Sequence, residues 1–366
     1  MFLRAACVLI IFCSAAAAAA VDWPALVQKP YEQLKPSGPK LKPLLVADDG
    51  QAIATPTDWD PPRERLKKEW LLRLGSPPPK PAKLDIRVEA SAELPDHVRR
   101  LVSFQSEGND RIQAYLLVPR GAKQQAPLPA VVVFHETTPD TFRQPIGLGS
   151  DQNLAIALHL VQRGYVTLSP QCYIMKGGGP LAQSKVLAKR RPGWTGLGKM
   201  TFDASRSVDY LETVPEVDKS RIGCMGHSLG AKEVLYAMAF EPRYKAGVFS
   251  EGGIGLAMSN WCDPWYLTAA MKPHMSEMDN HEVLGLVAPR PLLVIGGNSA
   301  DTDASWSYIR EARSVYQLLA AKNRIGFHNH RRGHSLPSEA RDLAYRWLDD
   351  WLGPAETGEL ATDEHR

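Results

Sequence analysis

The run Gly226-His227-Ser228-Leu229-Gly230 sets a hydroxyl between two glycines. It follows the apolar segment Arg221–Met225 and precedes a helical pattern with Val234, Leu235, Met238 and Phe240 on one face. A strand that bends abruptly into a helix leaves no space for side chains at the flanks of the bend, so glycines belong at 226 and 230. A serine at such a bend projects out of the sheet. It also sits at a helix N-terminus, where backbone N–H groups favour a nearby developing anion. Nucleophilic attack by Ser228 is the chemistry this arrangement suits.

A serine nucleophile needs a base, and the base needs a group to orient it. In sheets of alternating strands and helices such groups collect at the C-terminal ends of the strands. After the apolar run Leu292–Ile295 come Asp301 and Asp303. Either can supply the acid, with Asp301 preferred because Asp303 stands closer to the next helix and suits its N-terminal cap. After Arg324–Phe327 comes His334, behind Gly333 and just ahead of the last helix; it is the expected base. His328 and His330 suit structural hydrogen bonds at the strand end, or else a metal pair. Elsewhere no Cys/His spacing resembles a zinc site, and no cofactor is expected.

The elements that must position these groups are legible in the pattern of the chain. Residues 21–83 are rich in proline and read as an extended arm, with one helical piece over 63–74, that wraps over the main domain or else forms a free linker. Alternating segments at 84–90, 98–105 and 111–118 predict half-exposed antiparallel strands. From Ala130–Phe134, a β-branched run suited to burial on both faces, strands and helices alternate. Helices are expected over 151–163, with Ser150 as cap, around 202–213, behind Ser228, over 304–320 and from about 337 onward. Residues 251–285 read as an irregular, aromatic, cap-like insertion, and 354–366 as a polar tail. The fold class is α/β, with a mainly parallel central sheet flanked by helices and antiparallel strands at its N-terminal side.

Composition narrows the context. The chain of 366 residues has 44% hydrophobic and 23% charged residues and a net charge of +3, too small to point to nucleic acid. Arg4, the apolar Ala5–Phe12 and the alanines to Ala20 form a signal peptide over residues 1–20, which implies a secreted or periplasmic protein with no integral membrane span. Cleavage there leaves Cys172, Cys224 and Cys262. A Cys172–Cys262 disulfide is allowed by that compartment, and Cys224 reads as a buried thiol.

Taken together, Gly226–Gly230, Gly333-His334 and the loop after Val131–Phe134 resemble the α/β-hydrolase superfamily over residues 84–353. Within it they resemble the dienelactone hydrolases and the secreted hydrolases similar to acetyl xylan esterases. The order Ser228, Asp301, His334 matches the superfamily order. The loop reads His135-Glu136-Thr137, where many members have His-Gly-X, and is similar to the Gln-Glu-Ile form of dienelactone hydrolases, which carry cysteine in place of Ser228. The resemblance implies oxyanion donors at the backbone N–H groups of Thr137 and Leu229. Glu136 would position the nucleophile or a substrate hydroxyl, or else face solvent. Trp261 and Trp265 would stack on substrate or pack under the cap, and Glu251 lies at the active edge. The implied activity is a cofactor-free serine esterase acting on a small-molecule or carbohydrate ester, with acetylated xylan preferred. The alternatives are a dienelactone-hydrolase-like or prolyl-oligopeptidase-like hydrolase and a non-catalytic binding protein on the same scaffold.

Overall fold

The computed structural model describes residues 21–353, apart from residue 36 and residues 123–125. The expected signal peptide and polar tail lie outside the described residues. The chain enters through two short helices, α1 (Trp23–Val27) and α2 (Lys29–Glu32), and a long one, α3 (Pro56–Leu74). α3 starts well before the helical piece expected over 63–74. Thr55 and Asp58 form a reciprocal capping box and Pro56 occupies the first helical position, so the start is fixed ahead of Pro61 and Pro62. Trp59, Leu66, Trp70 and Leu74 then recur at helical spacing and are buried.

Among the described residues nine strands make one sheet: β1 (Arg87–Glu93), β2 (His97–Gln105), β3 (Arg111–Pro119), β4 (Leu128–Phe134), β5 (Val166–Pro170), β6 (Val217–His227), β7 (Tyr244–Ser250), β8 (Leu292–Gly296) and β9 (Ile325–Asn329). Their order is β1-β2-β3-β5-β4-β6-β7-β8-β9. The pairings from β1 to β5 through β3 are antiparallel, and those from β5 to β9 are parallel. Every residue of β4 is buried. Ala130, Val132 and Phe134 join one hydrophobic cluster while Val131 and Val133 join the other, so the β-branched run serves two cores at once.

Helices α4 (Ile156–Gln162), α5 (Gly179–Arg190), α6 (Gly196–Leu211), α7 (Leu229–Phe240), α8 (Asn280–Val287), α9 (Trp306–Leu318) and α10 (Ser338–Leu352) connect the strands. Two departures from the sequence pattern have local causes. α4 begins at Ile156, because Asp151 caps a separate 3-10 turn over Gln152–Leu154. α5, a helix that the sequence pattern did not predict, begins at the last of Gly177, Gly178 and Gly179, all at positive φ. Between Glu251 and α8 the only regular piece is a 3-10 turn over Ala269–His274. Among the described residues no helix is long and apolar enough to cross a membrane.

The arm is packed into this framework. Trp23 meets Trp347 of α10 edge to face at 4.8 Å, and its indole N–H donates to Asp350. Trp70 of α3 donates to the buried Glu282 of α8 at 2.8 Å. Burial, aided by Glu69 and Asp279, pushes the Glu282 carboxyl up from its ordinary 4.5 to about 7. The folded protein therefore holds a proton there that the unfolded chain has released, and this contribution is lost as pH rises through about 7. Glu282→Gln keeps an acceptor for Trp70 and removes the titration. The urea midpoint of the wild type is expected to fall relative to Glu282→Gln between about pH 5 and pH 8; parallel pH profiles would contradict this.

Candidate active site

The bend at Ser228 is built from strain and close approach. Ser228 adopts φ 56°, ψ −114°, and its N–H donates to the Ser250 carbonyl at 2.8 Å. A Cβ on Gly226 would lie 2.9 Å from Gly230 Cα. One on Gly230 would collide with the Phe134 carbonyl oxygen and lie 3.0 Å from that of His135. The second glycine thus lets the loop after β4 press against the start of α7. This sets the Phe134 and His135 carbonyls against Gly230, one residue after Leu229. Leu229 is the first residue of α7, so its N–H has no acceptor within the helix. Thr137 is exposed at the loop surface.

His135 fixes that loop. It is buried, its Nδ1–H donates to the Glu136 carbonyl at 2.7 Å, and its Nε2 accepts the Cys172 N–H at 3.0 Å. Burial pushes the imidazole down to about 4, which keeps it neutral and able to accept. The half-buried Glu136 carboxyl is pushed up to about 7 by burial and by Asp151 and Asp140, against the opposing field of His334.

Ser228 Oγ lies 2.9 Å from Nε2 of His334, and Nδ1 of the same ring lies 3.1 Å from Oε2 of Glu251. The acid in contact with the histidine is therefore Glu251, at the end of β7, and not Asp301. Glu251 adopts φ 52°, which turns its side chain across the end of β8. It is 1% exposed and accepts N–H bonds from Gly297, Ala300 and Asp301. Burial alone would raise its carboxyl, but the His334 bond and these backbone donors outweigh it and hold the group below its ordinary value. An ionised Glu251 accepts from Nδ1–H, which leaves Nε2 unprotonated and facing Ser228.

Asp301 is committed elsewhere. It is fully buried and accepts from Gly253 N–H at 2.7 Å, Ile254 N–H at 2.8 Å and the Ser305 hydroxyl at 2.9 Å. Burial pushes it up to about 6. Asp303 binds Asn329 and Arg331, while Thr302 takes the capping position expected of it.

Burial decides between the two roles expected of Trp261. Trp261 is 0% exposed, donates to the Gly253 carbonyl at 2.7 Å and packs on Tyr236 and Tyr266, so it offers no face for a sugar ring. Trp265 is half-buried, and its ring packs against Tyr266. Cys172, Cys224 and Cys262 are all free thiols, which removes the disulfide. His330 binds the Ser335 carbonyl and the Arg332 N–H. Among the described residues no group of three or more His, Cys, Asp or Glu is arranged to hold a metal ion.

Two contributors escaped the sequence pattern. His227 is buried, with Nδ1 3.0 Å from Ser250 Oγ and its ring 4.9 Å from that of His334. Burial and the neighbouring His334 push it down to about 3, so it stays neutral beneath the reactive ring. Lys232, one helical turn after Ser228, is buried with its ammonium on the Gly252 carbonyl at 2.7 Å and 5.0 Å from the Trp261 ring centre. Its spacing from Ser228 was the available signal.

Comparison with known proteins agrees with this architecture. Residues 112–276 match the model of the dienelactone hydrolase family. The chain is 24% identical over 304 residues to YtaP of Bacillus subtilis, covering 79% of this chain and 99% of that one. It is 22% identical over 370 residues to 4-O-methyl-glucuronoyl methylesterase 1 of Wolfiporia cocos, covering 88% and 83%. Among solved structures, a glucuronoyl esterase from Solibacter usitatus superposes with a TM-score of 0.72 at 18% identity, over 87% of this chain and 100% of that one. Residues 112–276 are thus similar to the dienelactone hydrolase family, and the chain has an α/β-hydrolase fold.

Proposed function

We propose that the protein is a serine esterase that cleaves a carboxylic ester of a carbohydrate through Ser228, His334 and Glu251. The observation that carries this reading is the unbroken contact from Ser228 Oγ through His334 to the Glu251 carboxylate. His334 Nε2 takes the proton as Ser228 attacks the carbonyl, and Glu251 stabilises the imidazolium that forms. Leu229 N–H and Thr137 N–H face the developing oxyanion, where each such donor supplies about 2.7–4 kcal/mol. The alcohol leaves with the proton from His334. Water, activated by the same ring, then releases the acid from Ser228.

The substrate class we assign is the ester of a sugar acid. Acetylated xylan and a uronate ester are both carbohydrate esters. The relatives named as glucuronoyl methylesterases move the preference to the uronate ester, whose acyl group is the sugar itself. Asp301 serves in this reading as a support for the Glu251 loop. The first twenty residues, with the composition of a signal peptide, support export to a compartment where such polymers lie.

Methyl glucuronate and p-nitrophenyl acetate turnover test the reading. Ser228→Ala is expected to lower kcat by at least about ten-thousandfold on either ester. Equal rates in wild type and variant would end the esterase assignment. Labelling of Ser228 by a fluorophosphonate separates the enzyme from a non-catalytic binder. Glu251→Gln is expected to lower kcat by on the order of a thousandfold or more, because the wrong tautomer faces the serine. Asp301→Asn is expected to cost about tenfold. The reverse ranking would return the acid role to Asp301.

A further inference from the structure

Among the described residues β9 is the last strand of the sheet, and its outer edge has no neighbouring strand. The arm closes it with side chains. Gln28 is fully buried and donates from Nε2 to the carbonyls of Lys322 and Ile325, 2.7 Å each. Val27 packs where a Cβ on Gly326 would collide with it. Further along the edge, the Tyr31 hydroxyl accepts the N–H of Asn329 at 2.7 Å. The ring of Tyr31 lies 4.9 Å from that of Phe327 and 5.6 Å from that of Trp306.

Asn329 joins two loops of the active site. Its Nδ2 donates to Asn298 Oδ1 and Asp303 Oδ1, both at 2.7 Å, and its Oδ1 accepts the Arg331 N–H at 3.1 Å. Asn298 stands between Gly297 and Ala300, whose N–H groups hold Glu251. Arg331 leads into His334. Two backbone bonds, His330 N–H to Gly296 and Gly333 N–H to Gly297, tie the same loops together. Tyr31 therefore bears on a buried residue whose side chain, together with the Arg331–Asp303 ion pair, links the histidine loop to the loop that holds the acid.

We propose that Tyr31 is a positioning residue for the His334–Glu251 pair; this rests on the esterase reading above. Tyr31 touches no reacting atom. It acts by fixing Asn329 at the point where β9 ends and both loops begin.

Tyr31→Phe keeps the ring and removes the acceptor. Gln28→Ala removes the hold of the same arm on the start of β9, away from the loops. Glu251, His227, Ser228 and Glu136, the groups that face or charge the imidazole, are unaltered in both full-chain variants. Tyr31→Phe is expected to lower kcat about tenfold with KM unchanged. In the resting protein its His334 imidazole, followed by NMR, is expected to titrate at lower pH than in wild type, because its bond to Glu251 is looser. Gln28→Ala is expected to lower the urea midpoint and to leave kcat and the His334 titration as in wild type. Unchanged kcat and titration in Tyr31→Phe overturn the proposal, as does an equal loss in Gln28→Ala. A wild type that turns over no ester defeats the functional reading alone, since the His334 titration still decides the role of Tyr31.

Discussion

A buried carboxylate is tolerated only when its charge is met by donors, and the active-site rim depends on how Glu251 meets that condition. Three backbone N–H groups of the loop after β8 and one imidazole nitrogen surround it. The arrangement is reciprocal. Asp301, from the loop after β8, accepts two N–H groups of the loop after β7. Each loop supplies the anion that the other solvates. The histidine loop joins through Gly333, whose N–H binds the Gly297 carbonyl. Close packing leaves no freedom here, because a Cβ on Gly297 would collide with the Gly333 carbonyl.

The charges near the reactive ring follow from this clasp. Glu251 is held ionised by its donors, whereas Asp301, deeper and with fewer of them, is pushed up to about 6. His227, pushed down to about 3, adds no positive charge under His334. The imidazole is thus flanked by one full negative charge on its Nδ1 side and a neutral ring below. That is the setting in which a transient imidazolium is stabilised.

Much of this was legible in the sequence, and what was not has a physical cause. Gly226 and Gly230 announce the bend because a side chain at 226 would meet Gly230 and one at 230 would meet Phe134 and His135. The buried β4 announces itself by its valines. His334 follows from its place between β9 and the last helix. The acid was misassigned because sequence order gives the strand ends but not the lateral reach of a side chain. Glu251 is longer than aspartate by one methylene, sits at positive φ, and crosses a strand to reach the ring. Trp261 stayed open between two roles for a related reason, since aromatic residues beside a site look alike in sequence whether they face substrate or core. The arm was read as proline-rich chain, because the contacts that anchor Trp23, Gln28 and Tyr31 lie roughly three hundred residues away.

The two-way clasp also constrains redesign. Moving the carboxylate that meets His334 from one crossover to its neighbour is not a single exchange. Erasing the longer acid strands three main-chain donors in a dry crevice, and erasing the shorter one strands two. A workable migration must swap both acids in one step, so that neither hairpin of chain is left pointing bare amides at the other.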